Sequence, residues 1–591
     1  MFDVVKAARV FRSITNKLNN LQNLILILML VVVTLPSYFF RYYIPVDAGN
    51  FTPGDDLLGI RIAQNILDGK WLGEWNNLTL IKPSGYSIYL ALAHFLPVPL
   101  VLVTHTIFVV SSWVLVYAFL RFVAGDGKSF TYASVIPFSY LIYSPFLFQP
   151  DQSRVYRSSL ENALIYSFVC VFFVLICVVE ESKNKNRFSN RLPQVITAIL
   201  AAIYSILVLT KSSSYWILVG FFLPFAFLEL LQALRRKRVF IEFKKIMILV
   251  CTFLLVSLIP ISLYGQVNQT KYGLSLTEDY YQGSFKRALV LWQSVENGKD
   301  ERPFIPVSKG QRAAVYEVSP TANLLKPYLE GAPNTGWRTA PCSIQKVCDE
   351  SASWFPWELR DAAVQTGVVS NAIEFQSFFD KISFEISEAC EREKLDCGHL
   401  GSGPGMRSYF ELPVSLLIEY SWKNVRDSWR YNLGGRISTP DNNPGWSTPE
   451  SVNEFHSVVN YRAEPLNTNK KIPTVSEKLA TLENLYSKTF MPVLALTIIC
   501  SILHYRVSRN RQILIFPSVV LFGTAVYSLG ISTFQVSLGW QNGGIYFLPL
   551  ESLQTILLGF GLLATVSFAR LNLGESRKNA KNYRSRKTTI D

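Results

Sequence analysis

Long apolar runs dominate the pattern of hydrophobic and polar positions along this 591-residue chain. A helix that crosses the hydrocarbon core of a bilayer, about 30 Å thick, needs about 20 predominantly apolar residues. Runs of this kind predict about ten transmembrane helices. They lie at residues 24–43, 99–121, 131–149, 159–179, 193–210, 215–233, 246–264, 489–505, 513–533 and 549–569. The expected fold class is an all-α polytopic membrane protein.

One further apolar stretch, SGYSIYLALAHFLPVP at residues 84–99, is shorter and ends with Pro97 and Pro99. We expect it to form a juxtamembrane or re-entrant helix, because a crossing needs a longer unbroken run. Residues 44–98 then form one extracytoplasmic loop that lies on the membrane surface.

Basic residues set the expected orientation, because Lys and Arg accumulate in the cytoplasmic connections of membrane proteins. They are concentrated at residues 181–191, 235–245, 506–511 and 577–587. This pattern predicts a cell (inner or plasma) membrane protein with both termini in the cytoplasm. The basic leader before the first run is too long for a cleaved signal, so we expect the first helix to be retained.

The composition agrees with a membrane protein, since 49% of the residues are hydrophobic and only 17% are charged. In this topology the net charge of +14 lies on the cytoplasmic face. This excess of basic residues therefore predicts contact with anionic membrane lipids and argues against nucleic acid as a partner.

The topology divides the chain into four parts. They are an N-terminal transmembrane module (1–264), an extracytoplasmic soluble domain (265–488), a C-terminal transmembrane module (489–571) and a basic cytoplasmic tail (572–591). The extracytoplasmic part is long enough for a core of its own. Residues 377–394 and 415–431 have apolar positions three and four apart, which predicts amphipathic helices in a domain of mixed or mainly α structure.

Four of the eight cysteines lie close together in the extracytoplasmic part, at Cys342, Cys348, Cys390 and Cys397. An even number in an oxidising compartment favours two disulfides, of which three pairings are possible. The alternative is a four-thiolate zinc site, for which the spacing is poor.

The stretch TPGDDLLGIRIAQNILDG, residues 52–69, places Asp55 and Asp56 before apolar positions at four-residue spacing. This predicts a short interfacial helix. Asp55 could simply cap that helix, and Asp56 could complement its dipole. Acids at a membrane boundary are nevertheless costly, which favours a function. The chain has no phosphate-binding glycine loop, HExxH or nucleophile elbow, so carboxylates and basic residues are the catalytic candidates.

Further charged candidates lie on the same predicted membrane face. Lys82 could bind a phosphate or extend towards lipid headgroups. The same two alternatives, phosphate binding and contact with lipid headgroups, apply to Arg154, Arg157 and Lys211. Asp151 could begin a turn or act beside Asp55. Glu161, inside an apolar helix, needs a partner, for which Arg157 four residues earlier is the candidate.

DDLLGIRIAQNILDG followed by KPSGYSIYLALAHFL resembles the first extracytoplasmic loop of the GT-C superfamily, glycosyltransferases that use polyprenyl-phosphate-linked sugars. The similarity is to the branch of protein O-mannosyltransferases and the lipid A aminoarabinose transferase. Residues 150–164, 209–213 and 543–563 resemble later segments of that branch more faintly. Gly59, Ser84 and Ser158 depart from its pattern, and no arginine precedes Tyr546.

The resemblance implies a GT-C-like fold and an inverting glycosyltransferase of the cell envelope. Asp55 takes the place of the family's active-site acid, Asp56 that of its acidic neighbour, and Lys82 that of its phosphate-contacting lysine. Asp151 or Glu161 would be the second acid, and Mg²⁺ or Mn²⁺ between carboxylates is possible as a cofactor. Lys82, Arg154, Arg157 and Lys211 would bind the donor phosphate. The expected partners are a polyprenyl-phosphate sugar, an extracytoplasmic acceptor and membrane lipids.

The chemistry is consistent with that assignment. Glycosyl transfer needs a base for the acceptor proton, and a carboxylate such as Asp55 can serve. It also needs positive charge where the phosphate leaves. Two other classes remain: a transporter or lipid flippase, and a non-catalytic receptor or assembly protein with an external sensor domain. For a transporter we would expect repeated halves or acids at mid-membrane, and the sequence has neither.

Overall fold

A computed structural model describes residues 24–26, 28–44, 46–48, 54–124, 132–184, 191–235, 239–331, 335–403, 405–434, 448–459, 472–508, 510–539 and 544–587. These residues are nearly all helical and form no β-strand. The helices of eight or more residues are α1 (Leu24–Tyr42), α2 (Asp56–Leu67), α3 (Gly85–Ala93), α4 (Leu100–Ala118), α5 (Val135–Ile142), α6 (Arg157–Asn184), α7 (Leu192–Thr210), α8 (Leu223–Arg235), α9 (Val239–Tyr272), α10 (Gly283–Ser294), α11 (Lys309–Val318), α12 (Thr335–Ile344), α13 (Phe355–Gln365), α14 (Ala372–Glu391), α15 (Val414–Gly434), α16 (Pro449–Val459), α17 (Ile472–Ser508), α18 (Gln512–Leu538) and α19 (Gly544–Lys587).

Nine helices within the described part of the chain are long and apolar enough to cross a membrane. They contain α1, α4, α6, α7, α8, α9, α17, α18 and α19. Large apolar side chains on them point away from the protein; Leu255 is 67% exposed and Val32 is 68% exposed. An apolar surface of this kind is stable against lipid and not against water. The chain is therefore a multi-pass membrane protein.

The single helix predicted over residues 131–149 is wrong. The structure has a 3₁₀ turn, the eight-residue α5, and a second 3₁₀ turn at Pro145–Phe148. The break falls at Ser144, whose backbone is extended. Proline removes a backbone donor and disfavours the α conformation in the residue before it, so Pro145 ends the helix. The apolar run is long enough to cross, but it is not one helix.

This broken segment nevertheless returns the chain across the bundle. Helices α4 and α6 are parallel, because Phe108 packs against Tyr166 and, further along both helices, Phe119 packs against Phe173. Two consecutive parallel helices require a return path between them, and α5 lies on that path. The start of α6 is thus brought to the same end of the bundle as the start of α4.

The first loop forms two short helices at that end. In α2, Ile60 and Ala63 are buried against the bundle, as expected for an amphipathic helix. Helix α3 has nine residues and is too short to cross a bilayer. Gly85 at its start lies against the backbone at the end of α7, where a Cβ would come within 2.6 Å of Leu209. Only a glycine permits so close an approach.

An outer domain covers the first loop. Its core is formed by α10, α11, α13 and α14, with Trp292, Phe355 and Phe379 fully buried. Ile81 of the first loop belongs to the same core and is also fully buried. The two disulfides predicted for this region are confirmed, and each joins neighbours in sequence, Cys342 with Cys348 and Cys390 with Cys397.

Helix α15 agrees with the predicted amphipathic stretch at 415–431, but it packs against the transmembrane helices. The Asn424 amide donates hydrogen bonds to Ser532 and Gln535 of α18, and Gln554 of α19 donates to Ser428. Its polar face therefore meets polar positions of two transmembrane helices. Helix α16 packs on the first loop, where the Ser451 hydroxyl donates to the carbonyl of Ala48.

Candidate functional site

The turn before α2 brings Asp55 to Lys82. Asp55 occupies the N-cap position, but its side chain makes no capping hydrogen bond. Its carboxylate instead accepts a hydrogen bond from the Lys82 ammonium, which also donates to the carbonyl of Gly54 at 2.7 Å. Capping by the Asp55 side chain, the alternative left open by the sequence, is therefore wrong.

Electrostatics keep the Asp55 carboxylate ionised. Burial alone would raise the pKa of Asp55, but the ammonium of Lys82 and the guanidinium groups of Arg157 and Arg154 together lower it below its usual range. The Asp55 side chain is 30% exposed, so it remains accessible from the adjoining pocket. An ionised, accessible carboxylate beside a cation can bind sugar hydroxyl groups or accept a proton.

Asp56 points the other way, to Arg154. The Asp56 side chain is fully buried, and Arg154 Nη2 lies 2.9 Å from its Oδ1. Burial would lower the pKa of Arg154, but the hydrogen bond and the charge of Asp56 raise it above its usual value. The adjacent acids seen in the sequence thus have separate partners on separate segments.

Tyr156 is surrounded by three of the predicted phosphate-binding residues. The charged groups of Lys82, Arg154 and Arg157 lie 5.7, 4.8 and 5.5 Å from the centre of its ring. Arg157 Nε also donates a hydrogen bond to the Tyr156 hydroxyl at 3.1 Å. Burial raises the pKa of Tyr156, so the ring stays neutral and separates the cations without adding a charge.

Arg157 differs from Lys82 and Arg154 in its partners. No Asp or Glu of the described segments forms an ion pair with it. It lines a small, partly open pocket together with Asp55, Lys82 and Tyr156. Positive charge that is not neutralised by protein suits an anionic ligand.

The remaining wall of the pocket is mainly apolar. It is formed by Leu58 and Ile62 of α2 together with Pro83 and Tyr86. Gly59 lies between them, and a Cβ there would be 3.5 Å from the Tyr86 ring. The departure from the family pattern at Gly59 therefore adds space next to the charged end. A charged end with an apolar wall matches a ligand that is itself amphipathic.

Glu161 and Lys211 form a second ion pair nearby. Lys211 Nζ lies 2.9 Å from Glu161 Oε2, with both side chains largely buried. The pairing of Glu161 with Arg157 expected from the sequence is wrong, because the end of α7 places Lys211 closer. Lys211 also lies 5.5 Å from the ring centre of Tyr546. The pair does not line the pocket.

Asp151 is placed apart from Asp55. It lies in the short helix Pro150–Ser153 and interacts electrostatically with the buried Glu551 of α19. The pocket is lined by neither residue. Both candidates for the second acid, Asp151 and Glu161, therefore lie outside the pocket that contains Asp55, Lys82 and Arg157.

A divalent cation does not fit the acids as they are arranged. The described ranges contain no group of three His, Cys, Asp or Glu side chains that could hold a metal ion. Asp55, Asp56 and Glu161 are each paired with a basic side chain, so their oxygens already have cationic partners.

Two residues of the outer domain, which do not line the pocket but lie close to its charged side chains, were missed by the sequence reasoning. Trp357 of α13 lies with its ring centre 5.1 Å from Lys82 Nζ, and a Cβ on Gly54 would be 2.9 Å from its ring. Glu278 is 3% exposed and interacts electrostatically with Arg157 and Lys82. The only sequence signal was a second adjacent acidic pair, Glu278 and Asp279, shortly after a transmembrane run.

Comparisons of the chain with protein-family models, curated proteins and solved structures found no match.

Proposed function

We propose that this protein is an integral-membrane glycosyltransferase of the GT-C type, which moves a sugar from a polyprenyl-phosphate carrier to an extracytoplasmic acceptor. One observation carries the proposal. Arg157, which has no acidic partner in the described part of the chain, lines a pocket with the Asp55–Lys82 pair at one end of a transmembrane bundle. This arrangement suits a ligand with a phosphate, a sugar and an apolar tail.

The phosphate of the donor would bind Arg157 and Lys82. Positive charge placed where the leaving phosphate gains charge lowers the barrier to transfer, and it does so most strongly in a partly dry site. The side chain of Lys82 is 13% exposed, so water screens its charge little. A phosphate leaves without a proton, so the site needs no general acid.

The sugar would lie against Asp55, and the first isoprenoid units against Leu58 and Ile62 of α2. The acceptor, a glycan, lipid or protein, would approach from the outer domain, whose Trp357 covers Lys82. In this proposal the face with the pocket is extracytoplasmic, both chain termini are cytoplasmic and the protein resides in the cell membrane.

The Asp55→Asn variant tests the proposal in membranes supplied with labelled polyprenyl-phosphate sugars. We expect transfer to fall by about 100-fold or more, because the neutral amide no longer holds the Lys82 ammonium in place for the donor phosphate. Asp68→Asn, at the far end of α2 with 41% of its side chain exposed, is the matched control and should keep full activity. Full activity of Asp55→Asn, or no turnover of any such donor by the unaltered protein, would refute the glycosyltransferase assignment and favour a transporter or receptor.

A further inference from the structure

Glu278 is held at the site by its neighbours on both sides. The backbone N–H of Asp279 donates to the carbonyl of Leu80 at 2.8 Å, and the Asp279 carboxylate pairs with Arg360 at 2.5 Å. The Ser212 side chain, just after α7, hydrogen-bonds Glu278 itself. The first residues of the outer domain are thereby fixed against the first loop, two residues from Lys82.

The other carboxylates near the pocket are each occupied by a cation. Asp55 pairs with Lys82, Asp56 with Arg154 and Glu161 with Lys211. Among the described residues, no lysine or arginine lies within ion-pair distance of Glu278, although Arg157 and Lys82 are close enough to act on its charge. A carboxylate in an ion pair is a weaker base, because the neighbouring cation stabilises its ionised form. Of these four carboxylates, Glu278 is the one without such a cation at ion-pair distance among the described residues.

We propose that Glu278 takes the proton of the acceptor during glycosyl transfer, an inference that rests on the proposed function. The acceptor oxygen forms a bond to the anomeric carbon as the bond from that carbon to the phosphate oxygen breaks. The bonding electrons leave with the phosphate, which Arg157 and Lys82 bind. The acceptor proton passes to a carboxylate oxygen of Glu278. In this scheme Asp55 is a positioning residue that holds Lys82.

The surroundings of Glu278 suit this task at neutral pH. Burial raises the pKa of Glu278 to about 7, against the opposing effects of Ser212 and Arg157, while Asp279 raises it further and Lys82 lowers it. Tyr215, Tyr264 and Tyr281 also interact electrostatically with Glu278. A carboxylate of this pKa is partly ionised at pH 7 and is a stronger base than an ordinary glutamate.

The test compares Glu278→Gln with Glu278→Asp in two measurements on the full-length protein. The first is binding of polyprenyl phosphate in detergent micelles. The second is release of polyprenyl phosphate from a labelled polyprenyl-phosphate sugar in native membranes, which contain the acceptor, over pH 5.5–8.5. Glu296→Gln, which makes the same change at a partly exposed glutamate of the outer domain, is the matched control.

We expect Glu278→Gln to bind polyprenyl phosphate at least as well as the unaltered protein and to lose transfer by about 100-fold or more. Glu278→Asp should recover part of the rate, with the acidic limb of its pH profile moved. An unchanged rate and profile in Glu278→Gln would overturn the inference, as would equal losses of binding and transfer, which indicate a structural role. Absence of turnover by the unaltered protein would refute the proposed function, and this inference with it.

Discussion

Arg154 contacts both carboxylate oxygens of Asp56, with its Nε 3.0 Å from Oδ1 and 2.9 Å from Oδ2. The contact joins the start of α2 to the segment that leads into α6, two parts of the chain that are far apart in sequence. It also leaves Asp55 as the member of the acidic pair that lines the pocket. The two adjacent aspartates should therefore respond differently to substitution.

We expect Asp56→Asn to destabilise the protein by about 3–5 kcal/mol, because it leaves a largely buried guanidinium group without its anion. Thermal unfolding in detergent measures this loss. Asp55→Asn should cost less stability than Asp56→Asn while losing transfer, because Asp55 is partly exposed and Lys82 keeps its hydrogen bond to the Gly54 carbonyl. Equal unfolding temperatures for Asp56→Asn and the unaltered protein would contradict the structural role given to the Arg154 contact.

Arg157→Ala should weaken the binding of polyprenyl phosphate by roughly 10- to 100-fold, since a hydrogen bond to a charged group contributes about 1.5–3 kcal/mol. Titration with polyprenyl phosphate in micelles gives the affinity. Arg287→Ala removes a guanidinium group from an exposed pair with Asp380 and should leave the affinity unchanged. If both variants bind equally well, the phosphate lies elsewhere.

The buried Glu278 should make stability depend on pH. Because its pKa is about 7 in the folded protein and close to 4.5 when unfolded, the folded state binds more protons between these values, and stability falls as pH rises through this window. The loss is about 3 kcal/mol at most. We expect the unaltered protein to lose more stability between pH 4.5 and pH 8 than Glu278→Gln does. Asp279, with its pKa raised to about 6 by burial, affects both proteins alike. Identical pH slopes would show that Glu278 is not buried in this way.

Arg360→Met should loosen the outer domain from the first loop. The Arg360 guanidinium group donates to the carbonyls of Asn77 and Thr79 and pairs with Asp279. Breaking a buried pair costs about 3–5 kcal/mol, so hydrogen exchange of residues 76–82 should accelerate. Arg392→Met, which breaks an exposed pair with Glu388, should cost about 0.5 kcal/mol or less. Unchanged exchange in Arg360→Met would mean that other contacts fix the loop.

The transmembrane architecture could be predicted because a run of about 20 apolar residues has the length and composition that a helix needs to cross a bilayer. The exception, residues 131–149, shows the limit of hydropathy. Apolarity indicates that a segment lies in the membrane, but the extended backbone at Ser144 before Pro145 decides whether it is one helix. The presence of a proline in an apolar run does not by itself predict a break in the helix, because Pro260 lies inside the continuous helix α9.

The candidate site could be predicted only where its residues are close in sequence. Asp55, Asp56 and Lys82 belong to one loop, and their charges at a membrane boundary drew attention. Their partners depend on packing between distant segments: Lys211 reaches Glu161 from the end of another helix. Glu278 is placed near Lys82 by the contacts of its neighbour Asp279 with Leu80 and Arg360, which no local pattern encodes.

The burial of Ile81 in the core of the outer domain bears on how the protein loses its structure. Ile81 is bonded to Lys82, so the outer domain cannot melt without releasing the ammonium from Asp55. Core segments that share buried contacts open together as one cooperative unit. Heat inactivation and melting of the outer domain should therefore follow a single transition, with no intermediate that keeps an intact pocket beneath an unfolded outer domain.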